Sequence, residues 1–205
     1  MSDKKIIIVA VILSLGLIGA GWYYGKDKPN PGPAAITTPV EENISGIVFG
    51  DENAPVTMET YTNFLCPACG HFALNIYPKI QENYVKTGKV KMVFYIFPPY
   101  ELGKAAFCAQ KQGKFLEFHD KIFAKQSEIQ SEENVFSIMT EIGLDMESFH
   151  QCYNGQDAQK AAESWLSQGE KKEVEATPTF FINGQKVVGA LEFEEFQKII
   201  DEKLK

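Results

Sequence analysis

The stretch NFLCPACGHF, residues 63–72, sets Cys66 and Cys69 three positions apart in an apolar run. Thiols so spaced can close a disulfide, hold a metal ion or simply pack. In thiol–disulfide exchange the attacking species is the thiolate, and an unperturbed cysteine is only ~3% ionised at pH 7. A helix N-terminus can raise that fraction, because it offers unpaired N–H groups and the positive end of the helix dipole. Cys69, one turn on, is then the natural resolving thiol. His71 allows a different chemistry, a metal-binding or metal-delivery module built on Cys66, Cys69 and His71. Three ligands within six residues of one helix rarely converge on a tetrahedral ion, so no metal ligand set is assigned.

The neighbouring elements must place Cys66 at such a terminus. GIVFG (residues 46–50) is a short apolar strand, and DENAP after it is turn chemistry. VTMETYTNF (residues 56–64), rich in β-branched and aromatic residues, reads as a strand running straight into Cys66. Pro67 suits a first helical turn. Phe72, Ile76, Ile80 and Tyr84 then recur on one helical face, with Pro78 predicting a kink. GKVKMVFYIFPP (residues 88–99) is a second core strand.

Some 75 residues of helical signal follow. KFLEFHDKIF sets Phe115, Phe118, Ile122 and Phe123 on one face; Ser131 and Asp145 are N-cap candidates. His119 and His150 read as surface or packing residues, and Trp165 as core. Next comes EATPTFFINGQKVVGA (residues 175–190): Pro178, a buried strand, an Asn-Gly hairpin turn and a return strand. EFEEFQKIIDEKLK closes the chain as a helix. Cys108 and Cys152 are two buried thiols or, in an oxidising compartment, a structural disulfide pair.

All 20 basic residues are lysines and the net charge is −7, which argues against nucleic acid as a partner. From Val40 onward 16 lysines stand against 25 acids. Residues 6–24 carry no charge. As a helix they would be about 28 Å long, close to the hydrocarbon thickness of a bilayer. Residues 1–25 are thus expected to be a transmembrane signal-anchor, or else a cleaved signal peptide. Either way the rest is exported: periplasmic or on the outer face if anchored, secreted or periplasmic if cleaved. Residues 26–45, with four prolines, form a spacer. Residues 46–205 make the folded domain.

CPAC after a strand, Pro78, AAFCAQKQGKFLEFHDKIF and TPTFFING together resemble the thioredoxin superfamily, and more narrowly its DsbA-like disulfide oxidoreductases. The resemblance implies an α/β thioredoxin fold with an all-helical insertion, about residues 100–172, between the second core strand and a cis-Pro loop at Thr177 and Pro178. It implies a monomeric enzyme without cofactor, forming disulfides in exported proteins through a redox-active Cys66–Cys69 pair. Thr177 and Pro178 would shape substrate docking. Its partners would be reduced exported proteins and a membrane-embedded, quinone-linked thiol oxidase of the DsbB kind. Isomerase or reductase activity at the same site is the alternative within this chemistry. Two departures matter. Thr60 stands where thioredoxins carry a buried acid, with Glu59 one residue off and facing the other side. Ala68 replaces the histidine of the strongest oxidant in the family. The first leaves proton transfer at Cys69 to water or another group, and the second implies a redox potential between those of thioredoxin and DsbA.

Overall fold

The computed structural model describes residues 45–205. The expected membrane segment and nearly all of the expected spacer lie outside the described residues. Among the described residues no helix is long and apolar enough to cross a membrane.

Among the described residues, five strands form one sheet in the order β1-β3-β2-β4-β5. They are β1 (Ile47–Phe49), β2 (Val56–Thr62), β3 (Val90–Ile96), β4 (Thr179–Ile182) and β5 (Gln185–Val188). β2 and β3 are parallel, whereas the β1–β3, β2–β4 and β4–β5 pairs are antiparallel. A parallel pair needs a crossover, and the helix after Cys66 supplies it. β4 and β5 meet through Asn183 (φ 45°) and Gly184 (φ 83°), the left-handed pair that a two-residue hairpin turn requires.

The crossover helix is α1 (Pro67–His71), a wide turn (Phe72–Ile76), α2 (Tyr77–Ile80) and a second wide turn (Gln81–Val85). Pro78, where a kink is expected, follows directly on the first wide turn. Proline has no N–H and its ring would strike the carbonyl four residues back. The first wide turn opens the ladder just before it, with the Tyr77 N–H reaching back to the Phe72 carbonyl. Phe72, Ile76, Ile80 and Tyr84 are all buried.

The helical insertion comprises α3 (Tyr100–Lys111), α4 (Phe115–Ala124), a 3₁₀ turn (Gln126–Glu128), α5 (Glu132–Glu141), α6 (Met146–Tyr153) and α7 (Gln156–Lys171). Ser131 and Asn134 form a capping box for α5, and Asp145 Oδ1 caps α6 by accepting the Ser148 N–H at 2.7 Å. Gly103 lets α3 close on α7: a Cβ there would stand 3.1 Å from that of Ala162. Cys108 in α3 and Cys152 in α6 are joined by a disulfide, with their Cα atoms 5.8 Å apart. His119 is buried among rings, 5.5 Å from Tyr77 and 5.0 Å from Phe123, and His150 lies against Phe136 on the surface of α6. Trp165 is fully buried.

The last helix, α8 (Phe193–Lys203), closes the same core as the crossover helix. Phe72 lies 4.6 Å from Phe180 of β4 and 5.5 Å from Phe196 of α8, and Phe180 and Phe196 are 4.9 Å apart. This triplet of rings fixes the strand after Pro178 against the helix after Cys66.

Candidate active site

β2 ends earlier than its sequence suggests, at Thr62 rather than Phe64, because Asn63 turns the chain. Its Oδ1 accepts the Leu65 N–H at 2.7 Å, its carbonyl accepts the Cys66 N–H at 3.0 Å, and its Nδ2 donates to the Pro98 carbonyl at 2.6 Å. That turn delivers Cys66 to the N-cap position of α1 with an extended backbone, φ −85° and ψ 120°. No side chain caps this helix, and the sulfur occupies the place where a capping oxygen would sit.

The two thiols are free and differ sharply. Cys66 is partly exposed, whereas Cys69 is buried. Burial alone would push the Cys66 thiol up. Hydrogen bonding from the Thr177 side chain, the Cys69 backbone and thiol, and the Ala68 backbone outweighs burial and holds it below the ordinary thiol range. Burial pushes Cys69 up to about 11, against the opposing hydrogen bonds from the Thr62 side chain and the Asn63 N–H, the latter 3.5 Å from its sulfur. The first sulfur thus ionises more readily than the second, which keeps its proton near neutral pH.

Across from them lies the Thr177–Pro178 peptide, which is cis. The Cys66 thiol donates to the Thr177 carbonyl at 3.2 Å. The loop is held by the Gly189 N–H on the Pro178 carbonyl at 2.8 Å and the Thr179 hydroxyl on the Ala176 carbonyl at 2.7 Å. Cys66 and Thr177, 111 residues apart in the chain, therefore meet with Cys69 and Pro178 at one end of the sheet.

The remaining candidates sit elsewhere. Glu59 pairs with Lys172 and accepts the Tyr61 hydroxyl, on the sheet face that α7 approaches. Thr60 is buried with its hydroxyl unpartnered among the described residues. His71 is exposed, its Nδ1 3.2 Å from Asn75 Nδ2. Among the described residues no cluster of three His, Cys, Asp or Glu side chains could hold a metal ion. Asn63, Thr62 and Gln126 also belong to the site, yet sequence reading missed them. No periodicity marks such residues; an Asn just after a strand is the sole hint, as a turn former.

Comparison with known proteins points the same way as the geometry. The family profile described as Thioredoxin matches residues 42–202. A probable disulfide bond formation protein D of Bacillus cereus is 26% identical over the whole of both chains. The disulfide bond formation protein D of Bacillus subtilis is 25% identical over 77% of each. The crystal structure of Wolbachia pipientis alpha-DsbA1 superposes with a TM-score of 0.71 at 26% identity, covering 78% of this chain and 90% of that one. The profile covers most of the chain, and the chain belongs to the thioredoxin family as a DsbA-like protein disulfide oxidoreductase.

Proposed function

We propose that this enzyme oxidises thiol pairs in exported proteins, held at the outer face of the cell membrane by residues 1–25 and kept clear of it by residues 26–45. The inequality of the two thiols carries the roles of the two sulfurs, and the likeness to disulfide bond formation proteins supports the oxidising direction. In the oxidised enzyme a substrate thiolate attacks Cys66 Sγ, the more accessible sulfur. The Cys66–Cys69 bond breaks, and Cys69 leaves as a thiolate eased by the Asn63 N–H and the Thr62 hydroxyl, then takes a proton from water. A second substrate thiolate attacks the substrate sulfur of the mixed disulfide. Cys66 leaves as the stabilised thiolate, so substrate has lost two electrons and enzyme has gained them. A low-pKa leaving group favours this last step.

Thr177 and Pro178 form the docking edge for an extended substrate segment, because the Thr177 backbone lies beside the reacting sulfur. Cys108–Cys152 is structural and takes no part in turnover. Regeneration falls to a membrane-embedded thiol oxidase of the DsbB kind, since no further cysteine remains in the chain to pass electrons on. The enzyme works as a monomer.

Trapping tests the assignment. With oxidised substrate peptide as the disulfide donor, a Cys69→Ser chain should accumulate a mixed disulfide at Cys66, and a Cys66→Ser chain should give none at comparable rate. Adducts forming chiefly at Cys69 would overturn the assignment. Wild-type oxidised enzyme should convert a reduced two-cysteine peptide to its disulfide in one turnover.

A further inference from the structure

The side chain of Gln126 reaches the redox loop from the helical insertion. It begins the 3₁₀ turn between α4 and α5, 60 residues beyond Cys66. Its Nε2 donates to the Phe64 carbonyl at 2.8 Å and to the Cys66 carbonyl at 2.9 Å. A primary amide has two N–H donors, and this one spends both on backbone carbonyls either side of Leu65. The Cys66 carbonyl also accepts the Gly70 N–H at 3.1 Å, the first hydrogen bond of the crossover helix. Gly70 leaves room for the clamp: a Cβ there would stand 2.9 Å from Gln126 Oε1.

We propose that Gln126 is a positioning residue for the redox pair, clamping the Phe64–Cys66 segment so that the first N–H groups of the helix stay aimed at the Cys66 sulfur. The inference rests on Cys66 being the more accessible, attacked sulfur. The Ala68 and Cys69 backbones can serve that sulfur only while the Cys66 peptide keeps a fixed angle to the first helical turn. Cys66 has no capping side chain of its own to hold that angle. Asn63 grips the segment on the β3 side through Pro98, and Gln126 grips it from the insertion. With the clamp gone, the loop samples orientations that leave the thiolate less well served. The thiolate is then harder to form, and the reduced pair less favoured.

The test measures iodoacetamide alkylation of Cys66 against pH in the reduced full-length chain, with the glutathione equilibrium of the pair alongside. Gln126→Met keeps size and shape without donors. It should slow alkylation about three- to tenfold below the midpoint, raise that midpoint, and move the glutathione equilibrium by a similar factor toward the disulfide. Gln126→Lys retains a donor and should alkylate within about twofold of wild type or faster. Gly70→Ala, helped by alanine's helix propensity, displaces the amide without removing it and should act in the same sense as Gln126→Met. It carries the test if the Met variant does not fold. In the double variant the two effects should not add. A Cys66 midpoint unmoved by Gln126→Met, or a Lys variant as slow as the Met variant, overturns the role of Gln126 alone. If wild-type Cys66 itself titrates in the ordinary range, the reading of the site fails, and that of Gln126 with it.

Discussion

Two sulfurs three residues apart divide the labour because one is at the mouth of a helix and the other is inside the fold. The consequence for pH has a definite sign. Cys66 is held low, so its thiolate contributes stability to the reduced fold that is complete above the ordinary thiol range and fades as pH falls through the depressed midpoint. Chemical denaturation of the reduced chain should show that loss on the acid side, and Cys66→Ser should abolish it. An unchanged acid limb in Cys66→Ser would mean that other groups cause it. Cys69 should resist alkylation until pH nears its raised value of about 11. At this scale CPAC and Pro178 were legible, because a cysteine pair between a strand and a helix is rare enough to carry meaning. The partners that tune the sulfurs were not. Asn63, Thr62 and Gln126 act through single hydrogen bonds that only the folded chain brings together. The displaced acid was readable by strand alternation: Glu59 and Thr60 point opposite ways, and Glu59 pairs with Lys172.

Among the elements, the Phe72–Phe180–Phe196 triplet couples the crossover helix, β4 and α8, so it sets the spacing between Cys66 and the Pro178 loop. Phe180 is fully buried, and Phe180→Ala should cost about 3–5 kcal/mol in denaturant unfolding, with slower substrate oxidation as the loop loosens. A loss under ~1 kcal/mol would show that the rings do not bear on one another. The disulfide between α3 and α6 closes a 44-residue separation. On the chain-entropy view, replacing both Cys108 and Cys152 by Ala should destabilise the fold by about 4 kcal/mol while leaving Cys66 alkylation unchanged. Altered Cys66 reactivity in that variant would give the second pair a part in the chemistry. Element types and order were readable because apolar periodicity is strong in residues 72–84 and 115–123. Boundaries were less so: β2 stops at Thr62 because the Asn63 side chain satisfies the backbone locally, a contact that the β-rich composition of residues 56–64 hides. A break in the regular helix near Pro78 was foreseeable, but its spread over two wide turns depends on how the helix packs.

For the molecule as a whole, an acidic lysine-only domain carries its redox pair at one end of a five-stranded sheet, and a helical insertion reaches that pair through Gln126. The uncharged run at residues 6–24 is expected to send the full chain to the membrane fraction. A chain starting at Val40, which keeps the Ser45 carbonyl that accepts the Trp165 indole N–H at 3.2 Å, should be soluble with the same Cys66 reactivity. Soluble full-length protein of unreduced mass would contradict the anchor. The fold was legible at this scale because strand, CPAC helix, insertion and proline loop occur in a fixed order along the chain; the strength of the oxidant was not, because it depends on a difference between two folded states. The decisive measurement is therefore the equilibrium of the Cys66–Cys69 pair against glutathione in the full-length chain, with Cys66→Ser as control. A potential between about −270 mV and about −120 mV, the values of thioredoxin and DsbA, is the expected result. A potential at or below thioredoxin's would contradict an oxidase and make the enzyme a reductase.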